Sequence, residues 1–187
     1  SSVEIIRERK NKVNFSCGVS INNLSLNEND IGDFKTFLKL SPPLRTEVDR
    51  NALVQGLIDE TIDVIVSDHK PEDEENKRLT FAQAETGASG IETLLPLSLE
   101  LYHNGSVTLE TIIKALTSSP AKILKINKGN LSIGNDADFC IVDINKPWVV
   151  RKEKLISKSK NTPIEDKKLQ GKVMNTFVNG EELFKAE

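Results

Sequence analysis

Apolar residues recur at helical spacing in some stretches of the chain and form short continuous runs in others. The helical signal is clear over residues 46–60, where Thr46 and Asp49 have the spacing of an N-terminal capping box. The predicted helices cover residues 1–12, 46–60, 90–105 and 106–124, and the predicted strands cover residues 13–20 and 62–68. The run at residues 36–45 predicts a further short strand that is stopped by Pro42-Pro43, because proline cannot continue a ladder. Helices and strands therefore alternate over the first two thirds of the chain.

The strand predicted at residues 62–68 is apolar on both faces. This pattern is typical of a parallel sheet that is covered by helices. The order helix, strand, strand, helix, strand, helix, helix is that of part of an α/β barrel. The predicted fold class is therefore α/β, with residues 1–126 forming the C-terminal part of a TIM (β/α)8 barrel.

The pattern changes near residue 127. The runs "KGNLSIGNDADFCIVDINKPWVV" and "GKVMNTFVNGEELF" are strand-like and interrupted by glycine, and a polar stretch joins them. Residues 127–187 are therefore predicted to form a small β domain.

The charge and composition of the chain exclude several classes of protein. The formal net charge is -3, whereas a nucleic-acid partner calls for a basic face. There is no apolar run of membrane-spanning length and no signal-peptide pattern, which predicts a soluble cytoplasmic protein without a membrane partner. Cys17 and Cys140 lie in apolar runs, so both are predicted to be buried thiols in a reducing compartment.

The candidate chemistry begins where the third predicted strand ends, in the run "IDVIVSDHKPEDEENKR". A carboxylate at the carboxyl end of a barrel strand, here Asp68, can act as a general base or a metal ligand, or it can simply cap the next turn. His69 can bind a substrate or only the loop. The acidic run that starts at Glu72 is typical of a solvated loop, and His103 is expected on the surface at a helix end.

Metal-binding patterns are scarce in the sequence. A hydrolytic zinc site needs about three protein ligands, and the chain has two histidines and neither a His-x-His nor a Cys-x-x-Cys pattern. The run "GASG" at residues 87–90 is too generic to indicate a phosphate site. By spacing alone, the chain offers one candidate carboxylate, Asp68.

Four strings of the sequence resemble one protein family. They are "SPPLRTEVDRNALVQGLIDETIDVIVSDHKP", "KRLTFAQAETGASGIETLLPLSLEL", "SPAKIL" and "KGNLSIGNDADFCIVD". They are similar to the C-terminal part of dihydroorotases, in the cyclic amidohydrolase superfamily. The resemblance implies the last three strands of a zinc-containing TIM barrel, followed by a β domain that N-terminal strands normally complete. Because three strands cannot close a barrel, we expect a missing N-terminal barrel half, or another copy of the chain, as a partner.

The site positions depart from the family pattern while the surrounding strings persist. Asn22, in "SINNL", stands where the family has a metal-binding histidine, and Ser41 replaces an asparagine that binds substrate. Asp68 matches the catalytic aspartate. Glu72 replaces a histidine that meets the substrate carboxylate, so it would repel an anionic substrate unless Lys70 turned inward to compensate.

Two functions follow from the resemblance. In the first, the chain is similar to the non-catalytic dihydroorotase-like subunits that accompany aspartate transcarbamoylase, binds no zinc and serves as its structural partner. In the second, it belongs to an active zinc dihydroorotase in which Asp68 is the acid/base. A third, weaker alternative is a cyclic amidohydrolase of different ring specificity.

Overall fold

A computed structural model describes residues 2–186 of the 187-residue chain. The helices are α1 (Ser2–Lys10), α2 (Ile21–Ser25), α3 (Glu47–Ile58), α4 (Glu74–Lys77), α5 (Leu94–His103), α6 (Leu109–Leu116) and α7 (Ser118–Leu124). The strands are β1 (Gly18–Ser20), β2 (Val64–Val66), β3 (Phe139–Val149), β4 (Lys168–Val178) and β5 (Glu181–Lys185). Short 3-10 helices cover Glu28–Ile31, Thr36–Leu38 and Lys152–Lys154.

The first two strands form a parallel pair that orients the polar residues after them. Gly18 of β1 is opposite Val64 of β2, and Ser20 is opposite Val66. The two strands therefore end at the same edge of the sheet. Since functional groups of parallel α/β folds lie at the carboxyl ends of the strands, this edge is where the site is expected.

Helix α3 begins where the sequence predicts it. The Thr46 side chain accepts a hydrogen bond from the Asp49 backbone N–H, and Val54 and Leu57 are buried on the inner face. An N-terminal cap of this kind contributes about 1 kcal/mol. The helix packs against α1 and α2, and so supports the loop that precedes it.

The hydrophobic core extends from the helices into the C-terminal strands. Leu97 of α5 and Ile112 of α6 are fully buried in it, and so are three residues from beyond residue 127. These three residues are Val150, Ile164 and Leu169. The β-rich part after residue 127 is one continuous stretch of the sequence. It nevertheless shares a single hydrophobic core with the helices that precede it.

The C-terminal sheet is antiparallel with the order β3-β4-β5. The rings of Phe139 and Phe177, which face each other on β3 and β4, stack with centroids 4.6 Å apart. Between Ile141 and Val142 of β3 the partner residue changes from Asn175 to Val173, which leaves Met174 as the extra residue of a bulge in β4. The prediction of β structure after residue 127 is confirmed in its secondary structure, and the domain division at residue 126 stays a prediction.

One predicted strand is wrong and another is shorter than expected. Residues 36–45 form a 3-10 helix followed by a loop with a cis peptide bond between Ser41 and Pro42. This segment cannot lie as a strand between β1 and β2, because those two strands pair directly with each other. The strand predicted at residues 13–20 is confined to Gly18–Ser20.

The cysteine prediction is also wrong in part. Cys140 is exposed because it lies on the uncovered face of β3, where its Sγ is 3.6 Å from Thr176 Oγ1 on β4. Cys17 is half-buried, with Sγ 3.2 Å from the Thr61 carbonyl oxygen. Burial and the neighbouring Asp63 carboxylate raise the pKa of the Cys17 thiol.

Large apolar side chains are exposed at several places on the surface, including Leu124, Leu131, Ile133 and Ile156. Whether a lone copy pairs through such residues stays a prediction. No helix in the described range 2–186 has the length and apolar character needed to cross a membrane.

Candidate functional site

The parallel pairing brings two of the predicted site residues to one edge of the sheet. Ser20 and Val66 are partners in the register, and Asn22 and Asp68 each follow two residues later. Ser20 also caps α2, because its hydroxyl accepts a hydrogen bond from the Asn22 N–H at 3.3 Å. Asn22 is thereby fixed at the start of a helix beside the end of β2.

Asp68 begins the loop of residues 68–72, which we call the Asp68 loop. Its backbone has φ +48°, a left-handed conformation that aspartate tolerates better than most residues. Its side chain is half-buried. The N-cap residue of the following helix α4 is Asp73, so Asp68 does not serve as the cap of that helix.

His69 is oriented by the backbone of the Gly-rich stretch at residues 87–90 and by the residue after it. Its Nδ1 accepts hydrogen bonds from the Gly90 N–H at 3.1 Å and the Ile91 N–H at 3.4 Å. Because Nδ1 is the acceptor, the proton of the neutral ring lies on Nε2. The structure assigns His69 to holding the loop, and its role in substrate binding stays a prediction.

Lys70 and Glu72 pair with each other. The Lys70 ammonium lies 3.2 Å from Glu72 Oε1 and donates to the Thr86 carbonyl oxygen at 2.7 Å. The positive charge of Lys70, which would be needed to attract an anionic substrate, is therefore already paired with the Glu72 carboxylate. The pair is partly solvated, with the Lys70 side chain 52% exposed, so its contribution to stability is small.

The Asn22 side chain is buried, with 1% of its surface exposed. Among the described residues, its amide nitrogen and oxygen have no hydrogen-bond partner. Leaving a buried amide unpaired costs about 1–3 kcal/mol. The next residue, Asn23, donates to the Pro43 carbonyl oxygen at 3.2 Å, which brings the loop carrying the exposed Ser41 against α2.

These donors do not fit a zinc centre. An amide such as that of Asn22 is a poor zinc ligand, and the His69 Nδ1 lone pair is engaged with backbone N–H groups. Within residues 2–186, no three His, Cys, Asp or Glu side chains form a group with metal-binding geometry. Asp68 is the carboxylate that directly follows β2 at this strand edge.

Lys77 is a structural residue of the site that the sequence did not reveal. It is fully buried, and its ammonium donates to the carbonyl oxygens of Lys39 at 3.3 Å, Glu85 at 2.8 Å and Gly87 at 3.0 Å. Burial lowers its pKa to about 8, against an opposing influence of the Glu72 carboxylate. It joins the segment before Ser41 to the Gly-rich stretch.

Two glycines allow the Gly-rich stretch to approach the Asp68 loop. Gly87 has φ +140°, and a Cβ there would lie 2.7 Å from the Lys70 carbonyl oxygen. A Cβ at Gly90 would lie 2.4 Å from the Ser67 carbonyl oxygen. No larger residue fits at either position without moving the backbone, so the "GASG" run serves close packing against the loop.

His103 lies at the C-terminal end of α5, as predicted, and is exposed. Its Nε2 is 3.0 Å from the Ile144 carbonyl oxygen. His103 therefore links α5 to β3, on a different element from the Asp68 loop.

The comparisons with known proteins agree with the fold. The model of the amidohydrolase family matches residues 1–183. The chain is 41% identical to a dihydroorotase of Ehrlichia canis over 186 residues, which is 99% of this chain and 42% of that protein. A dihydroorotase of Acetivibrio thermocellus is also 41% identical, over 96% of this chain and 42% of its own length.

Solved structures give the same result. The L-hydantoinase of Arthrobacter aurescens superposes with a TM-score of 0.92 at 27% identity, covering 98% of this chain and 42% of that protein. A dihydropyrimidinase from Brevibacillus agri superposes with a TM-score of 0.89 at 22% identity, which supports the fold alone. The chain thus spans 42% of the length of these relatives and has the fold of the C-terminal part of their TIM barrel and the β structure after it. It belongs to the amidohydrolase family.

Proposed function

We propose that this chain is the C-terminal portion of a dihydroorotase-family protein of pyrimidine biosynthesis that has lost its catalytic centre and acts as a structural partner of aspartate transcarbamoylase. The observation that carries the proposal is Asn22, a buried amide without a partner among residues 2–186, at the position of a metal-binding histidine in the resemblance. A protein that keeps its fold but changes its metal-binding side chains is expected when its surface still binds a partner and its catalytic site is no longer used.

The electrostatics of the Asp68 loop support the loss of activity. Glu72 adds a negative charge where the resemblance places a histidine on the substrate carboxylate, and Lys70 is paired with Glu72 at 3.2 Å. Like charges at close range disfavour binding. An anionic carbamoyl aspartate or dihydroorotate would therefore meet a repulsive carboxylate in this loop.

A second candidate function is part of an active zinc dihydroorotase, which interconverts dihydroorotate and N-carbamoyl-aspartate. It is favoured by the 41% identity to proteins named dihydroorotase and by Asp68 at the carboxyl end of β2. In that case Asp68 would be the acid/base, and zinc would polarise the cyclic amide. The ligands for zinc would then have to come from residues other than Asn22 and His69.

Three measurements on the protein, expressed at the length its gene encodes, separate these functions. The proposal predicts substoichiometric zinc by plasma mass spectrometry, no hydrolysis of dihydroorotate, and co-purification with aspartate transcarbamoylase. Stoichiometric zinc with turnover would overturn the proposed loss of activity. Failure to co-elute with the transcarbamoylase would overturn the proposed partnership, whatever the zinc content.

A matched variant tests the role of Asn22 directly. Restoring imidazole at this position, with Asn22→His, should raise zinc retention relative to the unmodified protein if this position alone is deficient. Asn23→His, one residue later on α2, is the control, because Asn23 donates to the Pro43 carbonyl instead of lying buried without a partner. Equal zinc retention in both variants would show that imidazole at position 22 does not by itself restore a metal centre.

A further inference from the structure

The segment of residues 155–162, between β3 and β4, lies against the Asp68 loop. We call this segment the clasp. It is anchored to the helical part of the chain by Glu92, whose carboxylate accepts hydrogen bonds from the Ile156 N–H at 2.9 Å and the Ser157 N–H at 3.0 Å. The Ser159 hydroxyl donates to the Glu72 carbonyl oxygen in the Asp68 loop. The clasp thus contacts the loop as well as the helix region.

Asn161 of the clasp is fully buried and uses both ends of its amide. Its Nδ2 lies 3.4 Å from the Lys70 carbonyl oxygen and 3.3 Å from the Gly87 carbonyl oxygen. Its Oδ1 accepts from the Ser89 hydroxyl at 2.7 Å and also lies 2.7 Å from the Ser159 hydroxyl oxygen, whose single proton is shared between Asn161 Oδ1 and the Glu72 carbonyl oxygen. One side chain therefore joins three separate segments of the chain.

We propose that Asn161 is a positioning residue that sets the place of the Asp68 loop and the orientation of His69. The contacts form a continuous path. Asn161 holds Gly87 and Ser89, the adjoining Gly90 donates its N–H to His69 Nδ1 at 3.1 Å, and Lys70 follows His69 directly. This role does not depend on whether the site turns over a substrate.

The backbone between the Asp68 loop and the Gly-rich stretch supports the same role. His69 and Ala88 form an isolated parallel bridge, and the Lys70 N–H donates to the Ala88 carbonyl oxygen at 2.9 Å. The bridge is a single pairing, with no strand around it to maintain its register. A buried side chain that bonds both sides of the bridge, as Asn161 does, therefore supplies much of the constraint that a longer ladder would give.

The two histidines of the chain allow a direct test. In long-range proton–nitrogen NMR spectra at about pH 8, where an ordinary histidine is neutral, His69 should show the Nε2–H tautomer with well-separated ring nitrogen shifts. Asn161→Ala should move the His69 shifts toward a mixture of tautomers. His103, which bonds Ile144 on another element, should keep its shifts and is the internal control.

Hydrogen exchange supplies a second readout and a matched variant. The Lys70 amide should exchange at least about tenfold faster in Asn161→Ala, while amides in α3 keep their protection, because only local opening is affected. Asn145→Ala removes an exposed asparagine from β3 and should leave both readouts unchanged. Ser89→Ala removes one of the two hydroxyl donors and should shift His69 in the same direction by a smaller amount.

If Asn161→Ala folds poorly, the Ser89→Ala variant still tests the proposal. Ser89→Ala keeps the Asn161 amide and its contact with Ser159, so it tests the same path of contacts with a smaller loss of stability. Unchanged His69 shifts in a folded Asn161→Ala protein would overturn the proposal. Equal changes at His69 and His103, or faster exchange spread evenly over the chain, would also overturn it, because they would indicate a general loss of stability.

Discussion

Two buried polar groups on either side of the candidate site differ in how their hydrogen bonds are satisfied. Lys77 is fully buried and donates to three carbonyl oxygens, whereas the equally buried Asn22 amide has no partner within residues 2–186. Burying a polar group is costly unless it is bonded. The difference separates a group whose hydrogen bonds the fold satisfies from one whose hydrogen bonds the described residues leave unsatisfied.

The largest expected effect is that of Lys77→Met. The substitution leaves the carbonyl oxygens of Lys39, Glu85 and Gly87 without their donor in a buried site, so the free energy of unfolding should fall by about 3 kcal/mol or more. Urea unfolding followed by circular dichroism measures this change. Lys158→Met, at an exposed lysine, is the matched control and should change stability by less than about 0.5 kcal/mol. A similar loss in both variants would contradict the structural role of Lys77.

The pH dependence of stability gives the next largest effect. Burial lowers the Lys77 pKa from 10.5 to about 8, so between these pH values the unfolded chain binds more protons than the folded one. Stability from this group therefore rises as the pH increases through that window, on the order of 3 kcal/mol.

The rise is measured as the difference between the unmodified protein and Lys77→Met, which removes contributions from other groups. The charged groups that influence the Lys77 ammonium are Glu72, Lys39, Lys70 and Glu85. A difference that stays constant from pH 8 to pH 10.5 would show that the Lys77 pKa is not lowered.

Asn22→Leu should have a smaller effect of opposite sign. Replacing an unpaired buried amide by an apolar side chain of similar size should raise the free energy of unfolding by about 1–2 kcal/mol. The same replacement at Asn161, whose amide is bonded at both ends, should lower it. Thermal unfolding of the two variants tests the contrast. A loss of stability in Asn22→Leu would mean that the amide has a partner that the described residues do not include.

The smallest expected effect is that of Glu72→Gln. It removes the ion pair with Lys70 on a loop where Lys70 is half exposed, so stability should change by less than about 1 kcal/mol. The effect should shrink further in high salt, because exposed charges are screened. Chemical unfolding with and without added salt measures it, and a loss of several kcal/mol would place Glu72 among the structural groups with Lys77.

The elements that the sequence predicted well are those with strong local signals. The cap of Thr46 and the apolar face behind it determine α3 almost without help from the rest of the chain. The run ending at Asp68 likewise places a strand and its terminal carboxylate. The resemblance to the amidohydrolase family is also confirmed. It depends on long strings of residues that the fold requires.

The elements that were missed depend on contacts between distant segments. Residues 36–45 contain a short apolar run that suits a strand, but the Thr36 hydroxyl bonds the Lys77 carbonyl and the chain turns instead. Lys77 lies in a charged run that is normally solvated, and its burial follows from carbonyl groups that come from other segments. Asn161 gives no local signal, because its partners in the Asp68 loop and the Gly-rich stretch are many positions away in the sequence.

The core shared across residue 127 has a practical consequence. Val150, Ile164 and Leu169 belong to the same core as Leu97, and α5 packs against β4, so a polypeptide that stops at residue 126 would expose part of α5. Limited proteolysis should therefore not release a stable N-terminal piece. The two parts of the chain would therefore be inherited together, whether or not the site at the end of β2 is catalytic.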